Sequence, residues 1–223
     1  MHTFENDTDE ITEFVVFKYV PDGTDKRELI KGDKNPGTEE NMSKTAIFFA
    51  TGYEEIEALT VVDILRRAGE DITMVSITDE RRVASSHGVE VTMDKVLSEV
   101  NFDKTDVIVL PGGMPGTKNL EACEALMEQV DAFVKAGKIV AAVCAAPSIL
   151  GHRGHLKGKK ACSFPDRESE LEGADVKQEP AVTDGNIITG RGMGAAIPFG
   201  LAILEKLQGK EAADAMAAKI VYK

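Results

Sequence analysis

From residue 45 onward, short unbroken apolar runs alternate with longer stretches of helical spacing. Residues 45–50, 72–77, 107–110 and 139–143 are each apolar enough along their length to be strands covered on both faces. Between the first two, Ile56, Leu59, Val62 or Asp63, and Arg66 recur at helical spacing, which predicts a helix from about 54 to 68 ended by Gly69. Its first turn is acidic and its last holds Arg66 and Arg67, as the helix dipole favours. Further helices are predicted at about 120–136, closed by Gly137, and at 147–152, 195–207 and 211–218. Residues 82–92 read as a hairpin across Ser86-His87-Gly88, and residues 181–190 as another around Asp184-Gly185-Asn186. Between them lie a short strand near 161–164 and a loop to Pro180.

Strand, helix and strand at this spacing require right-handed crossovers, so the pattern predicts an α/β fold with a doubly wound, mostly parallel sheet. Such sheets bind ligands beyond the C-terminal ends of their strands. Three stretches meet at that edge: the turn from Tyr53 to Glu57, the Gly112-Gly113 pair, and Cys144.

The first 43 residues break the pattern. Residues 1–44 hold eleven Asp/Glu against six Lys/Arg, so they carry about −5 of the formal −12. Their apolar run at 14–20, followed by Pro21-Asp22-Gly23 and Leu29-Ile30, permits a small hairpin. The chain therefore divides into an acidic extension, 1–43, and a compact domain, 44–223. The extension is either a genuine appendage or a segment that does not pack.

A charge of −12 with a pI near 4.9 argues against nucleic acid or an anionic membrane as partner. No apolar stretch reaches the length of a membrane span, and the first residues lack a signal peptide's positive flank and apolar run, so a soluble, cytoplasmic protein is expected. Three cysteines, an odd number without CxxC spacing, suggest neither a disulfide framework nor a zinc site.

Among those cysteines Cys144 stands apart. The run 139–143 ends in Cys144-Ala145-Ala146-Pro147, a strand that stops where a helix begins, with the small neighbours that a strained nucleophile elbow needs. A thiol at a helix start faces unpaired N–H groups, which can lower its pKa. Cys123 and Cys162 lie away from such a junction and read as packed cysteines. His152 and His155 read as surface or capping residues, and His2 as part of the extension.

Four motifs carry a resemblance: Gly52-Tyr53-Glu54-Glu55-Ile56-Glu57, Pro111-Gly112-Gly113, Val143-Cys144-Ala145-Ala146-Pro147, and Thr189-Gly190-Arg191-Gly192-Met193-Gly194. In order and spacing they resemble the ThiJ/PfpI superfamily, in the branch of the parkinsonism-associated deglycase and bacterial YajL, over about residues 44–223. The resemblance implies a flavodoxin-like sandwich, usually a homodimer, with Cys144 as nucleophile and no cofactor or metal. It assigns Glu57 as a carboxyl that hydrogen-bonds the sulfur, a role that requires the acid to be largely protonated. The backbone of Gly112, Gly113 and Ala145 would supply the oxyanion and substrate pocket.

Two departures matter. Protease-like and amidotransferase-like members place a histidine directly after the nucleophile, where this chain has Ala145, which disfavours peptidase or amidase chemistry. Some relatives carry a histidine where this chain has Phe164, so acid-base work falls more heavily on Glu57, and His87 stands where human-type members have an arginine. The implied activity is detoxification of reactive dicarbonyls such as methylglyoxal, or removal of early glycation adducts from amino acids and proteins. The alternative is a redox sensor or redox-dependent chaperone in which Cys144 is oxidised without turnover.

Overall fold

The structure is a computed structural model and describes residues 44–222; the predicted acidic extension lies outside the described residues. Strands β1 (Lys44–Phe49), β2 (Asp71–Ser76), β6 (Val107–Leu110) and β7 (Ile139–Val143) are the four apolar runs. With β5 (Lys95–Val96), β10 (Ala181–Asp184) and β11 (Ile187–Gly190) they form a seven-stranded sheet in the order β10-β11-β7-β6-β1-β2-β5. All neighbours are parallel except β10 with β11, the hairpin around Gly185.

Both sheet faces are covered, which is why the strands are apolar throughout instead of alternating. Along β1, Ile47 and Phe49 face one core while Ala46 and Phe48 face the other. The first core is closed by α1 (Glu55–Arg67), α5 (Ala196–Gln208) and α6 (Lys210–Lys219), through Ala58, Val61, Leu65, Phe199, Ile203 and Met216. The second is closed by α2 (Gly116–Glu121), α3 (Glu124–Ala136) and α4 (Pro147–His152), through Leu120, Leu126, Val130, Phe133 and Ile149. The result is the flavodoxin-like sandwich.

Three local expectations are corrected. The α1 stripe turned inward is Ala58, Val61, Val62 and Leu65, whereas Ile56 is exposed and Leu59 only half-buried, because the helix rotates to bury Glu57. The single helix expected at 120–136 is two, separated where Cys123 takes a non-helical ψ of 87°. The strand expected near 161–164 is limited to β8 (Lys160–Ala161), which leaves the main sheet and pairs with β9 (Asp175–Val176). The hairpin at 82–92 forms as β3 (Arg82–Ala84) and β4 (Glu90–Thr92).

The strand order reverses at β1 and β6: the chain leaves β1 through β2 in one direction and returns to β6 and β7 in the other. A crevice beyond the C-terminal ends of the strands opens at such a reversal. The turns after β1, β6 and β7 deliver Glu57, Gly112-Gly113 and Cys144 to it.

Candidate active site

Cys144 follows the last residue of β7 with φ of 64°, a left-handed conformation that costs a non-glycine residue roughly 1–3 kcal/mol. Backbone ties on both sides hold it there. Its N–H donates to Gly190 O at 2.9 Å, and its carbonyl accepts from Phe164 N–H at 2.8 Å. Ala145 and Ala146 are buried against the turn, and Pro147 opens α4.

Glu57 sits in the first turn of α1 and is only 1% exposed. Its own N–H donates to Glu54 Oε2 at 2.7 Å, so Glu54 caps the helix and fixes the start of this turn. The Glu57 Oε2 atom accepts from Gly112 N–H at 3.1 Å, while Oε1 is buried without a conventional partner and leaves the carboxyl open to the Cys144 thiol. Burial, reinforced by the Glu54 charge, pushes the Glu57 carboxyl up to about 7, against the pull of the thiol and of Gly112 N–H.

The thiol does not follow the helix-dipole expectation. Burial, then the charge and hydrogen bond of Glu57, push Cys144 up to about 12, against the N–H groups of Ala145 and Gly113, which pull it down. Two of the three upward contributions depend on an ionised Glu57. A proton on Glu57 reverses them, because the acid then donates to the sulfur instead of repelling it. The two groups therefore titrate as a pair.

Gly112 is packed too tightly for any side chain: a Cβ there would meet Glu57 Oε2 at 2.5 Å and Cys144 Cβ at 2.6 Å. Its N–H is committed to Glu57, so the N–H groups turned to the sulfur are those of Gly113 and Ala145. Beside the thiol lies an open cavity of about 250 Å³, lined by Gly113, Met114, Ala145, Phe164, Asp166 and Arg167 with Cys144. Sequence reasoning missed Met114, Asp166, Arg167 and the capping Glu54. Glutamate is not a favoured N-cap, and the 165–170 turn is tied to the elbow by the Phe164 N–H to Cys144 O bond, a contact between residues distant in sequence.

The remaining candidates lie elsewhere. Cys162 is buried and its thiol donates to Thr189 O at 3.4 Å, whereas Cys123 is half-buried at the α2 to α3 break. His152 and His155 bind carboxylates, of Glu121 at 2.7 Å and Asp131 at 2.6 Å. His87 reaches Glu55 at 3.1 Å, and together with Glu54 these two place ligand atoms within 4.8 Å of one another, but Glu54 is engaged by the helix cap. A larger cavity of about 540 Å³ beside Leu59, Ile197 and Ile220 is lined by no thiol and no buried acid, so the chemistry points to the smaller one.

Fold and site together define an α/β sandwich with a cysteine elbow facing a buried carboxyl at the sheet's reversal point. The DJ-1/PfpI family model matches residues 43–206, and the chain belongs to that family. It is 35% identical over 187 residues to protein DJ-1 homolog A of Arabidopsis thaliana, covering 82% of this chain but 48% of the relative, so the chain spans about half the length of that protein. It is 30% identical over 164 residues to the glutathione-independent glyoxalase DJR-1.2 of Caenorhabditis elegans, covering 73% of this chain and 87% of the relative. Oxidized Toxoplasma gondii DJ-1 superposes with a TM-score of 0.77 at 35% identity, covering 81% of this chain and 98% of that one. No helix among the described residues is long and apolar enough to cross a membrane.

Proposed function

We propose that the protein is a cofactor-free, cysteine-dependent enzyme that converts reactive dicarbonyls to hydroxy acids, with Cys144 as nucleophile and Glu57 as proton shuttle. The observation that carries this reading is the pairing of the Cys144 thiol with a buried carboxyl held at about 7, the right range for a group that must both give and take a proton. The glyoxalase named among the relatives supports the reaction class.

In the first step, starting from the one-proton arrangement with a Cys144 thiolate beside protonated Glu57, the sulfur bonds to the aldehyde carbon of methylglyoxal and the carbonyl oxygen takes the proton of Glu57, giving a hemithioacetal. The N–H groups of Gly113 and Ala145 stabilise the oxygen as its charge develops. Glu57, now a carboxylate, removes the proton on that carbon and returns it to the neighbouring carbon, while the hydroxyl proton passes from the first oxygen to the second, leaving a 2-hydroxy thioester. Water then cleaves the carbon–sulfur bond, releasing lactate and the thiol. Lactate formation from methylglyoxal without glutathione tests this: Cys144→Ser and Glu57→Gln should each abolish it, and undiminished turnover in both overturns the proposal.

One observation favours a second reading. The same N–H pair and a protonated Glu57 suit the oxygens of a sulfinate, so oxidation of Cys144 without turnover would make the site a redox sensor. Mild peroxide would then add two oxygens at Cys144 while dicarbonyl turnover stays at background.

A further inference from the structure

The chain carries a formal −12, yet one hollow in it is ringed by cations. It lies on the second face of the sheet, toward the end opposite Cys144, where Lys44 and Asp71 open β1 and β2. Strand alternation puts Lys44 and Ala46 of β1, Thr73 and Val75 of β2, and Lys95, the register partner of Val75, on this one face. Lys104 stands on the far wall, the segment between β5 and β6. Among the described residues none of the three ammonium groups is in an ion pair, and neither is Asp71.

The backbone of that wall is held from several sides. Asn101 Oδ1 accepts from Lys104 N–H at 3.3 Å, capping the 3-10 turn Phe102–Lys104, and Thr105 Oγ1 donates to Asn101 O at 2.9 Å. Lys138 Nζ donates to the carbonyls of Phe102, Asp103 and Thr105 at 3.3, 3.4 and 2.6 Å, and the Phe102 ring stacks on Phe48 with centroids 6.0 Å apart. Asp106 joins the wall to β1: its N–H donates to Lys44 O at 2.8 Å, and its Oδ2 accepts from Lys44 N–H at 2.9 Å. The hollow is thus framed by fixed backbone, while the exposed lysine side chains on its rim are free to close on a ligand.

Three like charges around one hollow repel one another, a cost that a bound anion relieves. Three lysines against one aspartate leave two positive charges, the complement of a dianion. A longer polyanion would meet Asp71 and the acidic remainder of the chain. The Thr73 hydroxyl and Asn101 Nδ2 add neutral polar groups that have no hydrogen-bond partner among the described residues. Behind them Ala46, Val75 and Val100 give the hollow an apolar lining. Its volume of about 390 Å³ is the share of about thirteen waters at roughly 30 Å³ each, room for a compact anionic group and an organic body beside it.

We infer that this hollow binds a small phosphate monoester, its phosphoryl group among Lys44, Lys95 and Lys104 and its organic body on Ala46, Val75 and Val100. Such an ester is a dianion above a second pKa of about 6, which matches the charge of the lining, whereas a carboxylate brings only one charge. The site stands apart from the cysteine elbow and does not depend on the carbonyl chemistry proposed for Cys144.

Phenyl phosphate and phenyl sulfate, alike in shape but different by one charge, test the site by calorimetric titration of the full chain at pH 8, low ionic strength and in buffer free of phosphate. The phosphate should bind about tenfold more tightly than the sulfate, and more tightly than inorganic phosphate, which has no body to lay on the apolar lining. Lys95→Met and Lys104→Met should each weaken phenyl phosphate about fivefold or more, whereas Asp71→Asn should tighten it. Lys118→Met removes the same charge from the exposed face of α2 and should change the affinity less than about twofold. Equal affinity for the two esters, or no binding of phenyl phosphate at millimolar concentration, overturns the inference in the unsubstituted protein, without recourse to any variant. A loss in Lys118→Met equal to that in Lys104→Met overturns it as well, because the attraction would then belong to the net charge and not to the hollow.

Discussion

Gly112 and Glu57 are joined by a 3.1 Å hydrogen bond from the glycine N–H to carboxyl Oε2, and the same glycine presses against Cys144 Cβ. The contact couples the turns after β1, β6 and β7 at one point. Cys144 and Glu57 therefore keep their spacing only while residue 112 has no side chain.

Gly112→Ala should accordingly damage activity and stability together. The new Cβ would stand 2.5 Å from Glu57 Oε2 and 2.6 Å from Cys144 Cβ, so one of the two must move. Overpacking of this kind costs about 1–3 kcal/mol, readable as a lower urea midpoint with unchanged m. Lactate formation should fall at least tenfold even well below the unfolding midpoint. An alanine variant with normal turnover would show that the spacing is not critical.

The strands could be read from the sequence because doubly covered strands are apolar along their whole length, and β1, β2, β6 and β7 left no other interpretation of their runs. The face of α1 could not, since burying Glu57 beside Ala58 and Val61 turns Ile56 outward, against the apolar spacing. The break before α3 carries no glycine or proline to mark it. At the site, Cys144, Glu57 and the glycines are local to strand ends, whereas Asp166 and Arg167 reach the cavity on a turn tied to the elbow by the Phe164 N–H to Cys144 O bond, a tertiary contact without a local signal. The raised pKa of Cys144 is not legible in the sequence for a similar reason: the helix start is visible there, but the burial and carboxyl charge that outweigh it are not.

Asp131 ties α3 to the end of α4, bound by Arg153 and by His155 Nε2 at 2.6 Å. Arg153 chiefly, with His155, holds its carboxyl down from 3.8 to about 2. A depressed carboxyl contributes stability above its unfolded pKa and loses it as pH falls through the folded one, so the window is about 4 to 2. The side chain is 42% exposed, so solvent screening limits the contribution to about 1 kcal/mol. Asp131→Asn should be less stable than the unsubstituted protein at pH 6 by that amount, and the gap should close by pH 2. Parallel stability curves over the whole range would rule out this linkage.

The Cys144 and Glu57 pair should leave its mark on thiol alkylation. With Glu57 ionising near 7 and the thiol near 12, one proton is shared between the two groups from about pH 7 upward. The reactive arrangement, thiolate beside protonated acid, is a fixed fraction of that one-proton state. The rate of iodoacetamide reaction at Cys144 should therefore rise about tenfold per pH unit below 7 and level off above it. Glu57→Gln removes the exchange partner, so its rate should keep rising past 7 until the thiol itself ionises, at a pKa freed from the charge of Glu57. Peptide mass mapping of the alkylated cysteine separates Cys144 from Cys123 and Cys162. A rate in the unsubstituted protein that climbs through 7 without a plateau would mean that the two groups ionise independently, and Glu57 could then not act as the shuttle.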